Sequence, residues 1–377
     1  MKWLKILAGS IIVVFLSLLL TTYVIWLGYP KKKINILILD KTVPDLTYKK
    51  HASLVWVLNN SRFVKNDGSN YSLSKDYYGF HPLKPISDYQ YEIKRISLES
   101  VDSMANVYDA VYFADARGVY FNEWFRGFRQ RTENSLIEGG FNQNDFLLLK
   151  AMHQKQKLVI AEFNILQKPT SDLISYKAQE LFGVASTGWI GCYYASLDSS
   201  NIPVNILNLY YEQTGNSWSY SGEGVIFYNF NQVVVLSAKE HMNSAMPIIS
   251  SKNNELMDKV PDVADFTSNF EVLTVADSMD VVAEFQLNVN SVGDSIISAM
   301  GIKSNFPAII INKGKALNTV YFAGDFNDVD LPYYSSRLAN SRQLLKYLSS
   351  DKKKIFFNEY YFPLIENIFK KYTENKK

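Results

Sequence analysis

Cysteine, histidine and an excess of charge of either sign are what this 377-residue chain has least of. Its one thiol, Cys192, excludes an intramolecular disulfide, a multi-cysteine zinc site and an iron–sulfur cluster. The 39 basic and 37 acidic residues leave a formal charge of +2, so there is no large positive field for a polyanion and nucleic acid is not expected as a partner. The sequence also lacks a Walker A loop, a dinucleotide fingerprint and a paired-histidine zinc motif. No metal and no cofactor are expected. A long charge-free apolar run occurs once, at the N-terminus.

That run extends from Ile6 to Leu27, and fourteen of its residues are Leu, Ile, Val or Phe. A helix of this length spans the roughly 30 Å hydrocarbon layer, and at about −0.3 to −0.6 kcal/mol each these residues favour the bilayer by about 4 to 8 kcal/mol. Trp3 at one end and Tyr23, Trp26 and Tyr29 at the other match the aromatic belts of the two interfaces. A cleaved signal peptide is the competing reading, but its apolar core is usually about 7 to 15 residues and ends in small residues. A retained single-pass anchor, residues 1–30, with residues 6–27 in the lipid bilayer, is therefore expected, and removing it at residue 30 should leave a soluble body. Lys2 and Lys5 stand against Lys31, Lys32, Lys33 and Lys41, a count that slightly favours a cytoplasmic body, although many exported proteins begin with such a short tail.

The remainder, roughly 345 residues, is 47% apolar and 14% aromatic over the whole chain, ample for a folded core. Short apolar runs at 34–39, 110–114 and 158–161 read as buried strands. They alternate with helical patterns at 48–60, from Asn142 with Asp145 three residues on, and from Pro169 to a stop at Gly183. Residues 64–100 read as a long loop or small insertion. This alternation predicts an α/β body with a parallel sheet covered on both faces. Beyond it, runs at 225–228, 232–236, 281–287, 308–311 and 319–323 predict a mixed or β-rich half, with terminal helices at 335–349 and 361–373. The expected divisions are 34–200 and 201–377, the second open to being continuous with the first.

Several apolar runs end in a carboxylate: Asp40, Asp115, Glu162, and also Glu284 and Asp325. The carboxyl ends of parallel strands share one edge, where such folds bind ligands. Asp40, Asp115 and Glu162 are thus expected to face one pocket there, with Arg117 as a basic side chain able to offset their repulsion. They would act as acid, base or ligand, or else cap helices and satisfy loop amides. Glu138 before Gly139-Gly140 offers backbone amides to an anion or ligand, or is an ordinary loop. His81 is a candidate proton carrier or a packed ring. Trp189 and the aromatic loops near Tyr210–Tyr220 offer stacking faces for sugar rings or simple core packing. Cys192 lacks a strand-to-helix elbow and an evident histidine partner, which points to a structural thiol.

At Asp40–Pro44, Ile137–Lys150, Ala161–Asn164 and Leu181–Tyr194 the chain resembles a group of bacterial membrane-anchored proteins whose body is similar to the class I glutamine amidotransferase-like fold. The resemblance covers residues 34–200. It implies a three-layer, flavodoxin-like parallel sheet, with Glu162 near the position of the amidotransferase cysteine and no matching histidine. It further implies an extracytoplasmic, cell-envelope setting and a binding or accessory role, with a glycan or an envelope protein as partner. An envelope hydrolase using the strand-end carboxylates and a purely structural envelope protein are the alternatives. Carboxyls held by backbone amides in closed loops would favour binding or structure, and Glu162 and Asp115 carboxyls about 5 to 10 Å apart across an open pocket would favour glycosidic acid/base chemistry.

Overall fold

The computed structural model describes residues 2–127, 133–314 and 316–375. Helix α1, Lys2–Leu27, contains an apolar stretch from Gly9 to Leu27 that is long enough to cross a membrane and lies almost entirely outside the body. Its last turn is different. Trp26 is 1% exposed, its indole Nε1 donates to the Asn59 carbonyl at 3.0 Å, and the Arg62 guanidinium lies 4.2 Å from its ring centroid. A cut at residue 30 would therefore remove a core side chain together with the anchor.

The body follows as β1 (Ile36–Asp40), α2 (Lys49–Asn60), β2 (Tyr78–Pro82), β3 (Tyr91–Lys94), β4 (Ala110–Asp115), α3 (Gln143–Gln154), β5 (Leu158–Ala161), α4 (Asp172–Phe182) and β6 (Val184–Tyr194). After these come α5 (Val204–Thr214), β7 (Gly224–Tyr228), β8 (Val233–Ser237), β9 (Met242–Ser251), β10 (Val263–Asp265), β11 (Asn269–Val275), β12 (Met279–Val289), β13 (Asn305–Asn312), β14 (Thr319–Phe322), α6 (Ser341–Leu348) and α7 (Phe362–Asn375). Ten strands form one sheet in the order β10-β9-β12-β13-β14-β5-β4-β1-β2-β3. Its centre, β14-β5-β4-β1-β2, is parallel, and the strands on either side are antiparallel. The expected parallel sheet is thus mixed: β13 returns to β14 through residues 313–318, too few for a parallel crossover, while β12 and β13 pair antiparallel across a connection that contains the helix Ser291–Ala299.

Strands β1, β4 and β5 are buried throughout and apolar up to the aspartates that close β1 and β4, as strands packed on both faces are. Alternation along β4 identifies the two coverings. Phe113 meets Phe141, which in turn meets Phe146 of α3, while Tyr112 meets Tyr361, just before α7, on the opposite side. Asn142 caps α3 with a reciprocal Asp145 bond, and Gly183 ends α4 at φ +60°. Residues 64–100, expected as a loop, contain the β2–β3 hairpin, whose first strand joins β1 and extends the sheet. The first terminal helix is shorter than expected, with a 3-10 turn at 333–337 preceding α6, while α7 falls where it was expected.

A second, antiparallel sheet has the order β8-β7-β6-β11. It packs on the first through Phe270, whose ring lies 5.0 Å from Phe285 and 5.6 Å from Phe306. One continuous core joins residues from Ile34 to Tyr372, and β14 hydrogen-bonds to β5 across the sequence division at residue 200.

Candidate functional site

Right-handed crossovers between parallel strands place their carboxyl ends together, and here four adjacent strands end in acids. Asp40 closes β1, Asp115 closes β4, Glu162 follows β5, and Asp325 lies three residues beyond β14; all four are buried. The first turn of α2 supplies Lys50 and His51 to the same edge. Lys50 Nζ bonds to Asp325 and lies 3.5 Å from Asp115 Oδ2. Burial alone would push this ammonium down, but Asp325, Asp115 and Asp328 more than offset it and hold it charged. Arg117, the expected counter-charge, instead turns its side chain to Glu123 at 3.2 Å.

Each carboxyl at this edge is answered from within the protein, and among the described residues one of their oxygens, on Glu162, is fully buried without a partner. Asp115 Oδ1 accepts from Thr42 Oγ1 at 2.8 Å and the Arg117 amide at 2.6 Å, and Oδ2 accepts from Asn164 Nδ2 at 3.2 Å. Asp40 accepts from the Thr42 amide at 2.9 Å and faces His51 Nδ1 at 2.6 Å, while His51 Nε2 meets the Leu73 carbonyl at 2.8 Å. Glu162 Oε1 accepts from Tyr112 and Asn327; Tyr361 donates to Asn327 Oδ1 at 2.8 Å and lies 2.9 Å from the Tyr112 hydroxyl. Its Oε2 is buried with no hydrogen-bond partner. Burial pushes the Glu162 carboxyl well above its usual range, with nearby Asp325 adding to the rise. Burial thus favours the neutral acid, which costs less to bury than a carboxylate.

Glu138 is bound by Arg95 through Oε2 at 2.5 and 2.9 Å, with Lys41 3.7 Å from its other oxygen. Lys41 also bonds Asp145 at 2.5 Å and the Gly140 carbonyl at 2.8 Å. The Gly139-Gly140 pair packs loop on loop: a Cβ on Gly139 would fall 2.8 Å from Gly118 Cα, and the Gly140 amide donates to the Ala116 carbonyl at 2.7 Å. That amide therefore points into the protein. Trp189 is buried in the core. Cys192 lies on β6, its Sγ 3.5 Å from the Tyr193 carbonyl, and burial pushes its thiol up to about 11.

His81 stacks on Tyr77 at 3.9 Å and lines a cavity of about 520 Å³ beside Lys75, Lys84 and Lys94. A second open cleft, of about 530 Å³, lies where the second sheet meets the loop after β5. One wall is a single face of α5, with Asn205, Asn208, Leu209 and Glu212 at helical spacing. The other wall carries Tyr228 and Phe230, the latter 90% exposed, and the floor carries Gln167 and Lys168. Beneath it Gln167 donates to Glu271 Oε2 at 3.2 Å, and Tyr321 donates to Glu271 Oε1. Burial raises the Glu271 carboxyl to about 7.

Sequence reading missed Lys50, Asn327, Glu271 and the α5 face. For Lys50 a signal existed: Lys49, Lys50 and His51 open a helix, where the macrodipole disfavours positive charge, so they are there for a reason outside the helix.

No protein-family model matches the chain, and no curated protein matches it. Among solved structures, a ThuA-like protein from Bacteroides uniformis is 10% identical with a TM-score of 0.35, the alignment covering 89% of this chain and 92% of that one. A cytoplasmic protein from Salmonella typhimurium LT2 is 8% identical with a TM-score of 0.40, covering 89% and 99%. The carbohydrate deacetylase Agd3 is 9% identical with a TM-score of 0.33; the alignment covers 89% of this chain and 33% of the deacetylase.

Proposed function

We propose that this chain is a membrane-anchored, non-catalytic binding domain of the cell envelope that holds a neutral glycan in the cleft between α5 and the Tyr228–Phe230 turn. The observation that carries this reading is the contrast between the two places where chemistry is available. Asp40 and Asp115 are held by the Thr42 and Arg117 backbone amides in closed loops, and Lys50 fills the space between Asp115 and Asp325. A hydrolytic acid and base need room for substrate and water between them. The open cleft offers side-chain amides from Asn205, Asn208 and Gln167 beside Tyr228 and Phe230. Amides paired with aromatic faces suit hydroxyl-rich sugar rings, which present both polar edges and apolar C–H faces.

The parallel centre with helices on both faces supports the three-layer, amidotransferase-like reading of the body. Glu162, at its strand-to-helix position, is buried rather than presented to substrate. Retention of the anchor is supported by Trp26, since cleavage after the apolar run would strip the body of a buried indole. An extracytoplasmic body completes the reading, because envelope glycans lie on that side.

Titration of the full-length protein in nanodiscs with neutral envelope oligosaccharides tests the proposal. Saturable binding that weakens in Asn208→Ala and persists in Glu162→Gln is expected. Turnover of the oligosaccharide, lost in a folded Glu162→Gln variant, would replace the binding reading with the hydrolase one.

A further inference from the structure

Helix α6 is turned the opposite way from a helix on a water-facing surface. Two of its cations reach toward the protein: Arg342 Nε donates to the Asn358 carbonyl at 2.8 Å, its guanidinium lies 4.4 Å from the Phe362 ring centroid, and Lys346, itself exposed, pairs with Glu359 at 3.0 Å. Leu345 packs on the core, but the other three apolar side chains face outward, with Leu344, Tyr347 and Leu348 59%, 84% and 74% exposed. Spacings of three and four put these three on one helical face. Tyr334, 83% exposed, lies a few residues upstream. In a soluble setting the same helix would gain by rolling over and burying that stripe.

The position of α6 supplies the reason. One residue before its cap, the Ala339 amide donates to the Thr22 carbonyl of α1 at 3.0 Å. Thr22 lies five residues inside the end of the apolar stretch, about 7 to 8 Å along the helix axis. This is the depth, about 5 to 10 Å into the headgroup and acyl boundary, at which amphipathic helices rest in a bilayer surface. Tyr23 and Trp26 stack at 5.7 Å at the same level, and exposed Lys31 and Lys33 follow the anchor. Residues 337–354 contain six basic side chains and one acidic, Asp351. Lys346, Lys352 and Lys353 are paired with Glu359, Asp265 and Asp328, so the apolar stripe supplies the main attraction and the remaining cations favour anionic headgroups.

We infer that α6 is an interfacial helix, lying in the plane of the bilayer beside α1 and clamping the body to the membrane surface through Leu344, Tyr347 and Leu348. The inference rests on α1 being a retained anchor. The hydrogen bond to Thr22 selects lipid over a protein partner as the occupant, since it holds the stripe beside a segment that is itself lipid-exposed.

Full-length protein carrying Cys192→Ser and one spin label, at Leu348→Cys, Val13→Cys or Phe230→Cys, is reconstituted in nanodiscs of phosphatidylcholine and phosphatidylglycerol. Collisions with oxygen and with a water-soluble nickel chelate are then compared. The expected result is a Leu348 label that is oxygen-accessible and nickel-protected, between Val13 in lipid and Phe230 in water. Nickel access at 348 equal to that at 230, with Val13 in lipid, overturns the interfacial helix and leaves the anchor standing. A water-exposed Val13 label overturns the anchor, and the clamp with it. Spin–spin broadening between labels at 348 on two protein copies would assign the stripe to a second copy and also overturn the proposal.

Discussion

The carboxyl edge of the parallel centre and the cleft beside α5 are built from opposite materials. The edge gathers acids from four strands, the residues a reader of the sequence would choose for catalysis, and then closes around them with Lys50, Thr42, His51, Asn164 and Asn327. The cleft gathers amides, a tyrosine and an exposed phenylalanine, and stays open. The comparison teaches that residue type at a favoured fold position is not yet a site; unoccupied hydrogen-bonding capacity facing a volume is.

The strongest way to break the contrast is to unseat its central cation. Lys50→Met leaves Asp325 and Asp115 buried without their counter-charge, so a loss of about 3 to 5 kcal/mol is expected, read as a lower urea midpoint with an unchanged slope. A change below about 1 kcal/mol would mean that the edge is wetter and more open than its hydrogen bonds imply.

Glu271 links the two regions, lying under the cleft floor and against Tyr321 of β14. Its folded carboxyl is raised from 4.5 to about 7, so the folded state binds the extra proton. Its contribution is fully present below about pH 4.5 and is lost as the pH rises through about 7, a swing of about 3 kcal/mol. Glu271→Gln should remove that part of the fall in stability between pH 5 and 7, measured as denaturation midpoints against the unsubstituted protein. Equal slopes for both proteins would show that Glu271 does not carry the dependence.

In the cleft itself, Tyr228→Ala removes a stacking face and should weaken oligosaccharide binding by about 1 kcal/mol, several-fold in Kd, with little change in Glu162→Gln. Equal weakening in both variants would tie the two regions into one site. The smallest effect is expected for Cys192→Ser: the thiol meets the Tyr193 carbonyl and the Tyr194 side chain, both partners a serine hydroxyl can keep, and is raised to about 11, so binding should be unchanged and stability altered by about 1 kcal/mol or less. Abolished binding in a folded Cys192→Ser variant would make the thiol functional.

Local and periodic features were determined by the sequence alone. The charge-free run specified a membrane-length helix, and continuous apolar runs specified β1, β4 and β5, because strands buried on both faces have no polar alternation to display. Asn142 with Asp145 and Gly183 marked helix ends through chemistry confined to a few neighbouring residues. The convergence of Asp40, Asp115 and Glu162 on one edge followed from strand and helix alternation. Whether they met there as a pocket or as a sealed network did not, since that depends on partners up to 275 residues apart in sequence, such as Thr42 with Asp115 and Lys50 with Asp325. The β2–β3 hairpin, the antiparallel flank, the burial of Glu271 and the outward turn of α6 were likewise decided only in three dimensions. In each case the deciding energy is desolvation against a distant surface, to which local sequence is blind.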